Sequence, residues 1–295
     1  MRESEKAGRL VVVGTPIGNL DDLSPRAARE LAEADAIFCE DTRVTAKLAS
    51  RLSLSAPRVS CPAPRERSRV NDLLERLGRG ETVALVSDAG MPALSDPGEQ
   101  LVDAAAKAGF VVEVVPGPSA PAAALAVSGL PAVPHFFAGF LPSRAGERRR
   151  ELEKMRDRHE TLLWFEAPHR LVESLDDAAR VLGPRRACVA RELTKLHEEA
   201  VRGTLPELAG IFRSRGTGRG EITIVVEGRG AEARAERIES SLEEEIRGAL
   251  ARGESKRGLA RELAKKSGRP AREIYARAVE LEVRETGNEK REEKP

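Results

Sequence analysis

The chain has 295 residues, of which 40% are hydrophobic, 33% charged and only 3% aromatic, with a formal net charge of +1. That length suits about two domains and a small appendage. The near-zero net charge excludes a polycation that binds nucleic acid over its whole surface, so any such binding must come from local patches. Cys39, Cys61 and Cys188 are an odd number without a CxxC pair, which argues against a disulfide framework or structural zinc and fits a reducing compartment. The opening MRESEKAGR is polar and precedes only a short apolar run. Neither a signal peptide nor a membrane span is expected, and the expected location is cytoplasmic.

In chain order, residues 10–13 are a short apolar run that reads as a strand buried on both faces. A helix follows over 22–34, with Ser24 as N-cap and Pro25 in its first turn. Strands are predicted at 36–39, 82–86 and 111–115, and helices at 71–77, 97–108 and 121–128. Alternating strands and helices imply a largely parallel sheet. Ligands of such sheets sit at the carboxyl ends of the strands. Crowded prolines over 116–134 mark the first domain boundary. Beyond them, strands are predicted at 136–140, 161–165, 186–190 and 221–227, and helices at 148–158 and 171–182. A Gly- and Arg-rich loop at 213–220 leads into the last strand. Three short helices at 242–252, 256–266 and 271–281 follow, then a charged tail expected to be disordered. The predicted organisation is an α/β domain over 1–120, a second over 121–229, a basic helical domain over 230–285 and a tail over 286–295.

The loops of unusual composition fall at strand ends. GTPIGNL, 14–20, lets backbone approach a ligand, yet Pro16 removes an N–H and weakens it as an anion nest. A cofactor without phosphates fits this turn better than ATP or NAD; the alternative is an ordinary strand-to-helix turn. In SDAGMPALSDPG, 87–98, Asp88 caps nothing and reads as functional, whereas Asp96 reads as the cap of the helix from Pro97. In EDTR, 40–43, Glu40 or Asp41 suits a general base and Arg43 a phosphate clamp; the alternative is an internal ion pair with Thr42 capping the next helix. PGPSA, 116–120, offers the Ser119 hydroxyl in a stiff loop. WFEAPHR, 164–170, and ARELTK, 190–195, again gather polar groups at strand ends. No Ser-His-Asp order, HExxH or paired metal-ligand spacing occurs. Two stretches are locally basic: 144–158, with seven basic and four acidic residues, and 252–277, with nine and three.

The ordered set GTPIGNL, EDTR, SDAGMPALSDPG, PGPS, FAGFLP, WFEAPHR, ARELTK and GEITIVVEG resembles the ribosomal RNA small-subunit methyltransferase I family of the tetrapyrrole-methylase class. The resemblance implies an α/β fold of two domains with S-adenosyl-L-methionine in the cleft between them, plus the small C-terminal helical domain. It implies methylation of a cytidine ribose 2′-hydroxyl in small ribosomal subunit RNA by a homodimer, with neither DNA nor membrane as partner. The implied cofactor residues are Pro16, Ile17, Ser87, Asp88, Ala89, Ser119, Ala120, Phe165, Glu166, Leu193 and Gly220. Asp41, Glu40 and Lys195 stand at strand ends as candidate catalytic bases, and Arg43 and Arg191 as holders of RNA phosphates. The chain departs from the family at CPAPRE, 61–66, where only Glu66 keeps the polar character expected of a substrate loop. A helix-turn-helix pattern at 253–275 is expected to bind RNA phosphates. The rival readings are a porphyrin-like methyltransferase on the same fold and a non-catalytic ribosome-assembly factor.

Overall fold

The structure is a computed structural model that describes residues 8–292, with backbone only for 231–238 and 282–292. The chain divides into two units, Met1–Arg229 and Gly230–Pro295.

The first unit begins with β1 (Arg9–Val13), α1 (Pro25–Glu33), β2 (Ala36–Cys39), α2 (Thr42–Leu52), β3 (Arg58–Ser60), α3 (Glu66–Gly78), β4 (Thr82–Val86), α4 (Glu99–Lys107) and β5 (Val111–Val115). The five strands form a parallel sheet in the order β3-β2-β4-β1-β5. Leu10, Ala36, Phe38, Val83 and Leu85 pack on one face with Leu73, Leu77 and Leu101. The intervening Val11, Ile37, Cys39, Ala84 and Val86 pack on the other with Ala27, Leu31 and Leu48. With helices on both faces, successive side chains of the inner strands β2 and β4 are all buried, which explains their unbroken apolar runs. Ser24 caps α1 by accepting the Ala27 N–H at 3.1 Å, and Pro25 opens that helix, as expected. The three cysteines are free and buried.

A second sheet is built from β6 (His135–Phe140), β7 (Thr161–Glu166), β8 (Arg186–Arg191), β9 (Glu199–Thr204) and β10 (Ile222–Val226), in the order β6-β7-β10-β8-β9. Only β6 and β7 pair in parallel; the other three pairings are antiparallel, so the largely parallel pairing expected from alternating strands and helices holds for the first sheet and not for this one. One face is covered by α6 (Ala145–Met155), α7 (Leu171–Leu182) and α8 (Leu205–Arg215), around the fully buried Trp164. The other is covered by α5 (Ala120–Ser128), whose Ala124 and Leu125 meet Leu163, Cys188 and Val225. Thus α5 follows the last strand of the first sheet but packs on the second, and residues 116–119 carry the chain across. The elements given no bounds from the sequence, α2, β3, β9 and α8, are short or half-polar. Helix α8 nonetheless carries a capping box, with Glu207 accepting the Thr204 N–H at 2.8 Å.

The second unit comprises α9 (Ala231–Ala251), α10 (Lys256–Ser267) and α11 (Ala271–Glu292), around Ile246, Leu259, Leu263, Ile274, Ala278 and Leu281. Helix α9 starts well before residue 242, and α11 runs to Glu292 where a disordered tail from 286 was expected; residues 293–295 lie outside the described residues. No helix among the described residues is long and apolar enough to cross a membrane.

One local expectation fails instructively. Helix α4 begins at Glu99 rather than Pro97, and Asp96 does not cap it. Its cap is Glu66, the surviving acid of CPAPRE, which also starts α3 five residues earlier than expected. Its Oε1 accepts the N–H groups of Gly98, Gln100 and Leu101 at 2.9, 2.7 and 3.3 Å. The side chain is buried, so water cannot replace it. Glu66→Ala is expected to cost about 1–3 kcal/mol by orphaning these donors, read as a lower urea midpoint. Asp96→Ala, with no cap to lose, should shift that midpoint less.

Candidate functional site

The ends of β1, β4 and β5 are tied into one platform by their backbones. The Gly14 N–H donates to the Val115 carbonyl at 3.0 Å, and Thr15 and Gly90 exchange N–H···O bonds of 2.9 and 3.2 Å. Gly14 and Gly117 touch directly: a Cβ on Gly117 would lie 2.8 Å from Gly14 Cα, and one on Gly14 2.6 Å from Gly117 Cα. Opposite this platform stands the end of the second sheet. Its loop after β8 is strained, with Glu192 and Thr194 at φ 48° and 67°; such non-glycine outliers persist where surrounding structure holds them. The Asn19 N–H donates to Thr194 Oγ1 at 3.1 Å, and Glu192 Oε1 accepts from Lys195 Nζ at 2.9 Å and the Glu221 N–H at 3.1 Å.

Between platform and second sheet lies a cleft of about 390 Å³, within the range of small-ligand sites. Of the residues that the resemblance implies for a cofactor, Ile17, Asp88, Ala89, Ser119, Ala120, Phe165, Glu166, Leu193 and Gly220 line it. Pro16 and Ser87 do not: they face a smaller cavity on the far side of the 14–18 turn. Met91, Asp96, Phe140, Ile222 and Thr223 line the cleft and were not anticipated. Asp96 and Met91 stand in the SDAGMPALSDPG motif and Phe140 in FAGFLP, so the motif loops line the cleft, with inward side chains that the motifs did not distinguish. Phe140 and Phe165 lie against each other with ring centroids 5.2 Å apart.

The lining contains Asp88, Asp96, Glu166 and Glu221 but no Lys, Arg or His. Burial raises the Asp88 and Asp96 carboxyls above their usual range; a hydrogen bond to Ser87 partly offsets this for Asp96, and one from the Asp41 N–H for Asp88. Glu40, just behind them, is also raised, first by burial and then by the charges of Asp96, Asp88 and Asp41. Glu166 Oε1 is held by Arg170 and the Ala167 N–H, while its buried Oε2 has no partner. An acidic, half-apolar cleft suits a ligand with an apolar body, hydrogen-bond donors and a positive centre, and repels polyphosphate. A sulfonium nucleoside meets those requirements.

The other expected residues fare unevenly. Asp41, not Thr42, caps α2, and it grips Arg43 through both carboxylate oxygens. The Arg43 hydrogen bonds lower its pKa to about 2, which makes it a poor base. Burial works against the Lys195 ammonium, but bonds and charge from Glu192 and Glu221 outweigh it and hold its pKa above the usual value, so Lys195 is a cation with no lone pair to accept a proton. Arg191 is turned inward onto Glu199 and the Arg219 carbonyl rather than left free for phosphate. Arg43 remains 89% exposed.

Residues 9–209 match the family of tetrapyrrole (corrin/porphyrin) methylases. The chain is 40% identical to the ribosomal RNA small subunit methyltransferase I of Synechocystis sp. over 277 residues, covering 94% of this chain and 99% of that protein. This chain belongs to the ribosomal RNA small subunit methyltransferase I family and is a methyltransferase. The Thermotoga maritima member of ribosomal RNA small subunit methyltransferase I is 43% identical over 222 residues, 75% of this chain and 99% of that protein. Among solved structures, uroporphyrin-III C-methyltransferase from Thermus thermophilus, complexed with S-adenyl homocysteine, shares the fold at a TM-score of 0.52 and 23% identity, covering 77% of this chain and all of that one.

Of the two basic stretches, the first is not a free patch. Arg148 is buried and pairs with Asp177 at 2.6 Å; Arg144, Arg149, Lys154, Arg156 and Arg158 also pair with acids. In the second unit, Arg252, Lys266, Arg269 and Arg277 are paired. Arg257, Arg261 and Lys265 are exposed, four residues apart on α10, and have no acidic partner among the described residues. They form one stripe on the face away from Leu259 and Leu263.

The glycine contact is testable. Gly117→Ala should cost about 1–3 kcal/mol by overpacking the platform, seen as a lower denaturation midpoint and weaker ligand binding in the cleft. Gly146→Ala is the control: its Cβ would meet nothing within 4 Å, so a helical gain of about 0.5–1 kcal/mol is expected.

Proposed function

We propose that this methyltransferase transfers the methyl group of S-adenosylmethionine to the ribose 2′-hydroxyl of a cytidine in small-subunit ribosomal RNA. The carrying observation is the cleft wall, with its carboxylates, small and apolar side chains and absence of any cation. When bound, S-adenosylmethionine supplies an electrophilic methyl carbon on a positively charged sulfur. Asp88 and Asp96 provide the negative field for that charge, and Phe140, Phe165 and Leu193 flank the apolar surface. The first turn of α5 lines the cleft without a side-chain cap, leaving amide hydrogens for the methionine carboxylate. The unpartnered Glu166 Oε2 accepts a hydroxyl or amino hydrogen of the nucleoside.

Positioning is the main task, and holding two partners in reacting geometry is worth about 7–11 kcal/mol. A ribose hydroxyl is a weak nucleophile, so a base adds typically about 10²–10⁴-fold. Of the three candidates we favour Glu40: it lines neither cavity but stands directly before Asp41 and close to Asp88 and Asp96, makes no ion pair and caps no helix among the described residues, and burial and then those acidic neighbours raise its pKa. The stripe Arg257, Arg261 and Lys265 contacts RNA phosphates. An RNA rather than a porphyrin acceptor is supported by this stripe and by the relatives at about 40% identity. The reading extends to a homodimer working in the cytoplasm, supported by the family resemblance alone and checked by sedimentation of the purified protein.

The direct test incubates the protein with labelled S-adenosylmethionine and purified small subunits and maps the labelled nucleotide. Label on a base, on a porphyrin supplied instead, or nowhere overturns the reading. Glu40→Gln should lower the single-turnover rate by about 10²-fold or more with donor affinity unchanged by calorimetry; a full rate removes Glu40 from the role. Because a base must be deprotonated, the wild-type rate should fall as pH drops through the raised Glu40 pKa, a limb absent in the variant. Exchanging Arg257, Arg261 and Lys265 for Gln should weaken RNA binding and reduce its log–log salt slope by about 0.7–0.9 per lost phosphate contact.

A further inference from the structure

The small cavity behind the 14–18 turn is separate from the donor cleft. It measures about 150 Å³ and is walled by Pro16, Leu20, Val44, Thr45, Lys47 and Leu48 among others. Asp88 lines both this cavity and the main cleft, so the two are neighbours across one side chain. The space suits a single heterocyclic ring and is too small for a second nucleoside cofactor.

Three features of the wall point to one occupant. Leu20 and Val44 are large hydrophobics left 49% and 37% exposed at its lip, one on the turn after β1 and one on α2. Polar capacity is present inside: the Thr15 hydroxyl donates toward the Ser87 and Gly90 carbonyls, and the Thr45 hydroxyl to the Asp41 carbonyl, so both oxygens keep acceptor capacity. Lys47, exposed on α2, has no acidic partner among the described residues. Apolar lips around a ring-sized space, hydroxyls within and a cation outside are the chemistry of an unstacked nucleotide.

We infer that this cavity receives the base of the target pyrimidine nucleotide, extruded from the RNA, and so presents its ribose across Asp88 to the methyl donor. Leu20 and Val44 flank the base, while Lys47 holds a flanking phosphate. The assignment rests on the RNA reading above and adds the location of the acceptor. It also explains why Pro16 and Ser87, in motifs shared with the family, lie outside the donor cleft.

The test uses the full chain with purified small subunits. Val44→Trp fills the lip from an exposed position. It is expected to leave donor affinity by calorimetry within twofold and the melting temperature unchanged, while lowering kcat/KM for the RNA at least about tenfold. Lys47→Glu, which fills nothing, should raise KM for the RNA with little change in kcat. Wild-type kcat/KM in both variants overturns the assignment and leaves the methyltransferase reading standing. Conversion of a dimer to a monomer by Val44→Trp makes the lip a contact between copies and also overturns it. A wild-type protein that binds no donor sinks the broader reading, and this one with it.

Discussion

The backbones of Gly14 and Gly117 meet with no side chain between them, and the site is organised around that contact. Because the first and fifth strands of one sheet are adjacent, their following turns must share a small volume, and any Cβ at either glycine would force them apart. The turn at 14–18 then reaches Gly90 on one side and Thr194 of the second sheet on the other. Ile17 is buried among Leu163, Ala190 and Leu193 of the second half, so the same turn that shapes the platform helps fasten the two sheets together. The cleft is the space these constraints leave open.

Charge gives that space its chemistry. The carboxyls of Asp88, Asp96 and Glu40 are raised first by burial and then by neighbouring acidic charge, a destabilising arrangement that a compact protein would otherwise relieve with Arg or Lys. Here the cations are withheld: Arg43 is held by Asp41, Lys195 by Glu192 and Glu221, and Arg191 by Glu199. A cationic ligand relieves the repulsion on binding, so the same feature that costs stability in the free protein favours a positively charged methyl donor.

The motifs at strand ends were legible because strand, turn and helix signals there are local. The buried strands announced themselves as apolar runs, and the loop compositions marked the carboxyl ends where the cleft forms. What stayed hidden depended on distance in sequence. Glu66 caps a helix more than thirty positions later, so Asp96, adjacent to that helix, looked like its cap and was misread. Arg148 belonged to a basic stretch by composition yet is buried against Asp177 on another helix. Strand β9 was missed because an edge strand that is half exposed lacks the unbroken apolar run of its neighbours.

The sequence by itself determined the alternation of strands and helices, the loops that line the cleft and the family, since each is written in contiguous residues. Only the tertiary structure decided which carboxylates face the cleft, which cations are already neutralised and that Asp88 separates two cavities. It also turned the second sheet mostly antiparallel. Those outcomes depend on which groups meet across long stretches of chain, and a hydrogen bond or ion pair between distant residues leaves no pattern in the local order of amino acids.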